Sequence, residues 1–497
     1  MTRPWPPLFA AARPSLPPSG VSYALLWLAT LLAEIVPVPH AGDAAGLLLL
    51  AFLILEWPRQ RRYARIVFVA FCATGLAGIA LAARHHAAPI GLFLAGWRRG
   101  AALAAFYFAL ATLRDAAETS PLFRRSGRHL LAQPPGRRYA ALTAGGHLFG
   151  VILSYGAIDL LGALVHRPQR GTLSPAEGAL RGRRMMLAIY RGFCATNTWN
   201  PLNVMTAVVT TAVPTAPMRF LLPFAFVFAL LMLAIGWAED RLRWRGRPEP
   251  APASKAADGW GVHARLVGLV AFVMLAAEAA NGYLGGGLIA SVTLVVPVIA
   301  LAWIALQMRG IARLGPGVSP GASALPALPA WLARRSLRFI ARAPAFRAEA
   351  LVLGASGFMG VALGGALPRA GLAPLLGSLP ALAVPLAVPP LLMLTGQIGL
   401  NPIAVVALIG AALPDPASLG IAPAALAFAC MLGWALGVAV TPMSASAITT
   451  ARWLHVSPWR VSTVWNAGFA AASLLLAWGA IAGVAFAARG LALTGGS

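Results

Sequence analysis

Repeated apolar runs of membrane-spanning length constrain this chain more than any other feature. A helix needs about 20 apolar residues to cross the hydrocarbon of a bilayer. Runs of that kind occupy 21–38, 64–83, 220–238, 261–281, 284–306, 349–366 and 461–487. Two weaker candidates lie at 44–57, which is short, and at 96–113, which contains Arg98 and Arg99. Backbone polar groups have no water partner in lipid, so such segments must be helical. Only 11% of the 497 residues are charged, against roughly 25% in a soluble domain. A soluble enzyme, a disordered chain and a disulfide scaffold are excluded on that balance. Cys72, Cys194 and Cys430 all sit in apolar stretches with no paired spacing. The chain reads as an all-α polytopic membrane protein.

The net charge is nevertheless +25, from 39 Lys and Arg against 14 Asp and Glu. In a soluble protein that excess would suggest nucleic acid; in a membrane protein it reports which loops stay in the cytoplasm. With residues 1–20 inside as a Pro-rich cytoplasmic tail, loops alternate between arginine-rich and arginine-poor as far as Arg138. The next region, 139–165, breaks the alternation. Arg137 and Arg138 precede it, and Arg167, Arg170, Arg181, Arg183 and Arg184 follow it. It therefore starts and ends inside and cannot be a single span. The region 372–413 starts and ends outside by the same bookkeeping, because Arg452 and Arg460 must lie inside. Both read as re-entrant helical hairpins, entering from opposite faces. On this topology Arg84, Arg219, Arg369 and Arg489 fall outside, and most other basic residues fall inside. The expected location is the bacterial inner (plasma) membrane, with the N-terminus cytoplasmic and the C-terminus outside.

Each hairpin is followed by an interrupted helix, at 185–212 and at 420–449. Placing Thr196 on Thr441 also lays Met186, Leu187 and Gly192 on Met431, Leu432 and Gly437. The chain thus divides into a first half at 21–238, a cytoplasmic linker at 239–260 and a second half at 261–488, related as an inverted repeat. The expected fold has about 11 transmembrane helices plus the two hairpins.

This layout resembles the ion transporter superfamily: the divalent anion:sodium symporters, arsenite permease-like proteins and the large membrane subunit of TRAP carriers. The resemblance is architectural over nearly the whole chain and motif-level only at the two hairpin-plus-break blocks. In place of the symporters' Ser-Asn-Thr signatures, the first break reads Thr196-Asn197-Thr198 and the second Thr441-Pro442-Met443-Ser444. The resemblance implies an elevator mechanism, a homodimer, and a site formed by each hairpin tip with its adjacent break.

A broken membrane helix frees carbonyl and N–H groups, and a bound ion or solute can satisfy them. Thr196, Asn197, Thr198, Asn200 and Asn203 suit that role in the first half, and Thr441, Ser444 and Ser446 in the second. The hairpin tips add Ser154, and Thr395, Gln397 and Asn401. Asp159 is the carboxylate inside a hairpin, placed to bind Na⁺, to carry a proton, or to pair with Arg167. Helix packing through Ser, Thr and Asn is the competing reading of these clusters. Arg191 could compensate an anionic substrate or fix the start of its helix at the cytoplasmic surface. The segment 327–347 reads as a basic amphipathic helix on the inner membrane surface. No metal-ligand spacing, Walker loop or GxGxxG occurs. The leading function is a secondary transporter for a small solute, an organic anion such as a carboxylate, coupled to Na⁺ or H⁺. The expected partners are that solute and the lipid bilayer, with no nucleic acid, no cofactor and no enzymatic activity. A Na⁺/H⁺ antiporter, and a membrane-embedded enzyme or scaffold of envelope assembly, remain as alternatives.

Overall fold

A computed structural model describes residues 15–84, 88–134, 136–166, 174–245, 259–312, 328–364, 378–413 and 415–494. These residues are helical with no strand among them. The helices are α1 (Pro18–Glu34), α2 (Ala41–Glu56), α3 (Arg62–Ala83), α4 (Pro89–Glu118), α5 (Pro121–Leu131), α6 (Arg138–Leu153), α7 (Gly156–Val165), α8 (Pro175–Thr196), α9 (Val204–Ala212) and α10 (Met218–Arg243). They continue with α11 (Gly261–Leu284), α12 (Gly287–Ala312), α13 (Leu328–Arg342), α14 (Arg347–Gly364), α15 (Ala383–Gln397), α16 (Pro402–Ala412), α17 (Pro423–Val440), α18 (Ala445–Leu454) and α19 (Ala467–Thr494). Among the described residues, 8 helical segments are long and apolar enough to cross a membrane. The other expected spans are also helices: the 17-residue α1, the 30-residue α4 and the charged α8. The protein is an all-α polytopic membrane protein.

Contacts divide the chain into two compact units, each drawn from both halves of the sequence. The first comprises residues 1–73, 93–116 and 277–358. Its α4 and α14 meet where both lack side chains. A Cβ at Gly100 would lie 3.0 Å from the Gly354 Cα, the close approach that small residues permit between membrane helices. Phe358 stacks on Trp97 beside this contact, with ring centroids 5.0 Å apart. Arg98 is accounted for by Asp43, whose two carboxylate oxygens accept from it at 2.6 and 2.9 Å. The amphipathic α13 is no free surface helix. It packs on α1 and α12, and Arg335 donates to Asp115 Oδ2 at 2.6 and 2.9 Å. An apolar stripe does not say whether lipid or protein covers it.

The second unit comprises residues 74–92, 117–276 and 359–497 and holds two five-helix blocks, α6–α10 and α15–α19. They are built alike. In the first block α6 packs along α8, which packs on α10; in the second α15 packs along α17, which packs on α19. Across the blocks α7 packs on α18 and α16 on α9. Each pair α6–α7 and α15–α16 is a helical hairpin whose arms touch. The first turns at Ser154, which takes φ +52°. The second turns through Gly399 at φ +86°, and Asn401 then caps α16. At 1.5 Å per residue the arms are about 24, 15, 22 and 16 Å long, so none alone covers a hydrocarbon core of about 30 Å. Residues 372–377 of the expected second hairpin, most of the 239–260 linker, and Arg167 lie outside the described residues.

Both expected breaks are present. The first broken helix starts ten residues earlier than its apolar run, at Pro175, because Ser174 and Glu177 form a reciprocal capping box. It stops at Thr196 and resumes at Val204. The second stops at Val440, resumes at Ala445 and runs on to Leu454.

Candidate functional site

The two breaks share one backing. In the first block, α6 and α8 meet at Gly192, where a Cβ would lie 2.9 Å from the His147 backbone nitrogen. In the second, α15 and α17 meet at Gly437, where it would lie 3.1 Å from the Leu392 carbonyl oxygen. One turn later each helix ends in a threonine whose hydroxyl bonds back to that glycine. Thr196 Oγ1 donates to Gly192 O at 3.3 Å, and Thr441 Oγ1 to Gly437 O at 2.6 Å. Each hydroxyl also lies against a glycine near the end of the hairpin's first arm, Gly150 or Gly396. A side chain there would occupy the threonine's place.

Most candidate side chains at the first break serve the break itself. Thr196 Oγ1 donates to His147 O at 3.0 Å. Asn197 Nδ2 donates to Phe193 O at 3.1 Å, and Thr198 Oγ1 to Ala195 O at 2.8 Å. Asn200 Nδ2 donates to Val151 O at 3.1 Å while its Oδ1 accepts from Leu202 N. All four are buried. They satisfy carbonyls and N–H groups that the broken helix would otherwise strand in an apolar interior. Asn203 differs. It is half-buried, caps α9 by accepting from Met205 N at 2.9 Å, and donates to Asn197 Oδ1 at 3.0 Å.

At the second break, Ser444 is the counterpart. It is half-buried and accepts from Ala447 N at 3.2 Å, capping α18. Buried Ser446 lies 3.2 Å from it. Gln397 Nε2 donates to Val440 O at 2.7 Å, closing the second hairpin tip onto the broken helix. Asn401 accepts from Ile403 N at 2.9 Å. Thr395 turns back on its own helix, donating to Leu391 O, and Ser154 supplies only the first turn. Asp159 accepts from Trp453 Nε1 at 3.1 Å, which ties α7 to α18. A break cap accepts one backbone N–H, so replacing Asn203 or Ser444 with alanine should lower stability by about 1 kcal/mol. Aspartate at either position should retain most of it. Thermal unfolding in detergent reads both.

Four further side chains join the candidate set, and no local sequence pattern points to them. His147, on α6, accepts from Trp199 Nε1 at 3.1 Å through Nε2, which leaves Nδ1–H to donate to Gly192 O at 3.2 Å. The imidazole is therefore neutral and fixed between the hairpin and the break. Tyr190, on α8, donates to Val438 O and Ala439 O, both at 3.1 Å, at the end of α17. Its hydroxyl lies among Cys194, Ser444 and Ser446. Asn466 Nδ2 donates to Ala439 O at 2.9 Å, and Thr463 Oγ1 to Val440 O at 3.2 Å. These contacts join residues far apart in the chain, and only the packing of α6, α8, α17 and the segment 460–466 that leads into α19 creates them.

Arg191 neither faces an open site nor marks a helix start. It is buried between α8, α10 and α19 and bonds to Asn466, Tyr139, Glu239 and the carbonyls of Gly236 and Trp465.

No protein-family model matches this sequence, and a comparison with curated proteins gives no match. Among solved structures, the YdaH transporter of Alcanivorax borkumensis, described as having an unusual topology, is similar over 82% of this chain and 88% of its own. The identity is 17% and the TM-score 0.43. At that distance the chemistry of the site has to be read from the residues above.

Proposed function

We propose that this protein is a secondary active transporter of a small organic anion such as a carboxylate, coupled to Na⁺ or H⁺. One observation supports the reading most: two helices, each broken and backed by its own hairpin through matching Gly and Thr contacts, lie in one compact unit. Paired broken helices are the means by which many secondary transporters hold a solute away from lipid and water. The half-buried caps Asn203 and Ser444 stand at the N-termini of α9 and α18, where the helix dipole favours negative charge. Neither 196–203 nor 441–446 contains a charged residue, so an anion would meet uncharged donors. Within the candidate set, the contact residues we favour are Asn203, Ser444 and Ser446. The buried Thr196, Asn197, Thr198 and Asn200 support them. Both hairpins and both breaks belong to the same unit, which suits an elevator motion of that unit as one body. The proposal extends to a homodimer and to an inner membrane with the N-terminus inside.

The test is flux into proteoliposomes under imposed Na⁺ and H⁺ gradients, across a panel of carboxylates. Movement driven by either gradient supports the proposal, and none with either gradient refutes it. Asp159 separates symport from antiport. Asparagine in its place keeps the acceptor for Trp453 and removes the charge. Carboxylate flux in Asp159→Asn should stay within about twofold of wild type, while a Na⁺/H⁺ exchanger relying on this acid would lose its exchange.

A further inference from the structure

A cavity of about 830 Å³ opens beside the first break and lies wholly within the second unit. Its walls are α6, α10 and α11. Its inner end reaches His147 and Trp199. Ala140 and Ala144, exposed one turn apart on α6, and Ala271 on α11 leave the room, and the rest of the shaft is almost entirely apolar. The outer end has a different chemistry. Arg137, Arg241, Trp237, Trp260 and His263 converge there. Arg241 lies over the Trp237 ring at 5.3 Å and donates to Gly136 O at 3.2 Å. Among the described residues neither Arg137 nor Arg241 pairs with a carboxylate.

We propose that this cavity holds an acyl chain of an anionic phospholipid whose phosphate sits between Arg137 and Arg241. A polar solute in the shaft would lose its water with almost nothing to replace it. A free apolar molecule would bring no negative charge to the two guanidinium groups. A lipid with a negative headgroup satisfies both ends, and basic pockets between membrane helices select such headgroups. Tryptophan at the mouth is the residue that favours the headgroup level. Length agrees as well. Along α10 the wall from Arg241 to Phe226 rises about 22 Å, somewhat more than one leaflet's share of a hydrocarbon core about 30 Å thick. A phosphate held at Arg241 would therefore bring the chain end to the wall of the first break. This inference does not depend on the transport reading, because its measurement is lipid binding without flux.

The experiment is native mass spectrometry of the full chain, delipidated in detergent and titrated with phosphatidylglycerol, with phosphatidylcholine of the same chains, and with glycerol phosphate. Two arginines at the headgroup level predict roughly tenfold or greater preference for phosphatidylglycerol over phosphatidylcholine, and no retention of glycerol phosphate. Arg137→Gln combined with Arg241→Gln should bring the ratio of the two lipids close to one. Ala144→Trp should fill the shaft and remove the retained copy of either lipid, with a monodisperse gel-filtration peak as its folding control. Equal affinity of the unmodified protein for the two lipids would mean annular lipid only and would overturn the proposal. So would retention of glycerol phosphate alone, which would mean a free-phosphate site. Both readings use the unmodified protein, so the outcome does not rest on any variant folding.

Discussion

Replacing Arg191 with methionine should lower stability by about 3–5 kcal/mol, the range for removing one partner of a buried ion pair. A guanidinium has five N–H donors, and all five are used. Nε donates to Asn466 Oδ1 at 2.8 Å. One terminal nitrogen donates to Tyr139 Oη at 3.1 Å and Gly236 O at 3.4 Å. The other donates to Glu239 Oε2 at 2.8 Å and Trp465 O at 3.3 Å. The plane also lies over the Phe469 ring, 4.9 Å from its centroid. Methionine would fill much of the volume but leave Glu239, two carbonyls and two polar side chains without this donor. Lysine brings three donors and no planar fork, so Arg191→Lys should fall between. Adding Glu239→Gln to Arg191→Met should recover part of the loss, since the stranded charge goes with it. Chemical unfolding in detergent measures all three. A methionine variant within 1 kcal/mol of the parent would sink the idea, whatever the lysine variant does. Asn466 carries the consequence further, because its amide also donates to Ala439 O at the end of α17. Loosening Arg191 should therefore reduce the order of the second break as well.

What the sequence reveals and what it hides differ for a physical reason. The breaks are local. Pro201 and Pro442 interrupt the helices, and Asn203 and Ser444 are good N-caps, so chain order alone places them. A likeness between the two breaks is also legible, because Gly192 and Gly437 each face the first arm of a hairpin one turn before Thr196 and Thr441. Arg191 is misleading for a boundary reason. The apolar run begins near Met185, which suggests a surface start. The capping box at Ser174 begins the helix earlier and carries Arg191 about 24 Å along it. His147 lies outside every local pattern. Its importance comes from α6 meeting α8, 49 residues away in the chain. Asp159 is legible as the acid of an apolar helix, yet its partner Trp453 lies 294 residues on, and no spacing rule links them. The re-entrant hairpins are an expectation from charge parity; the described residues there form pairs of touching helices, each too short to span alone. Long-range partners of polar side chains depend on which faces of two helices meet, and one sequence does not specify that pairing.

The glycine contacts give the sharpest contrast between the two blocks. Gly192→Leu should abolish solute flux and cost more than the roughly 1–3 kcal/mol of ordinary overpacking. A Cβ at position 192 would collide with the Thr143 carbonyl oxygen and sit 2.9 Å from the His147 nitrogen. Both are helix backbone and cannot rotate aside. At Gly146, on the facing helix, a Cβ would lie 2.9 Å from the Ile189 Cα, so the two helices touch through backbone at two levels. Any side chain at 192 must drive α6 off α8. That movement would break the bonds from His147 Nδ1 to Gly192 O and from Thr196 Oγ1 to His147 O, which hold the hairpin against the first break. The equivalent site in the second block is more permissive. The three atoms nearest a Cβ at Gly437 all belong to Leu392, at 3.1, 3.5 and 3.7 Å; the first is again a backbone oxygen, but a shift of a few tenths of an ångström relieves that distance. Gly192→Ala should therefore be the more destabilising of the two alanine variants by at least about 1 kcal/mol, and Gly437→Ala should be close to neutral in both melting temperature and flux. If the two alanine variants behave alike, backbone contact at Gly192 is not what seats the first hairpin, and the twin breaks would owe their likeness to the threonine hydroxyls alone.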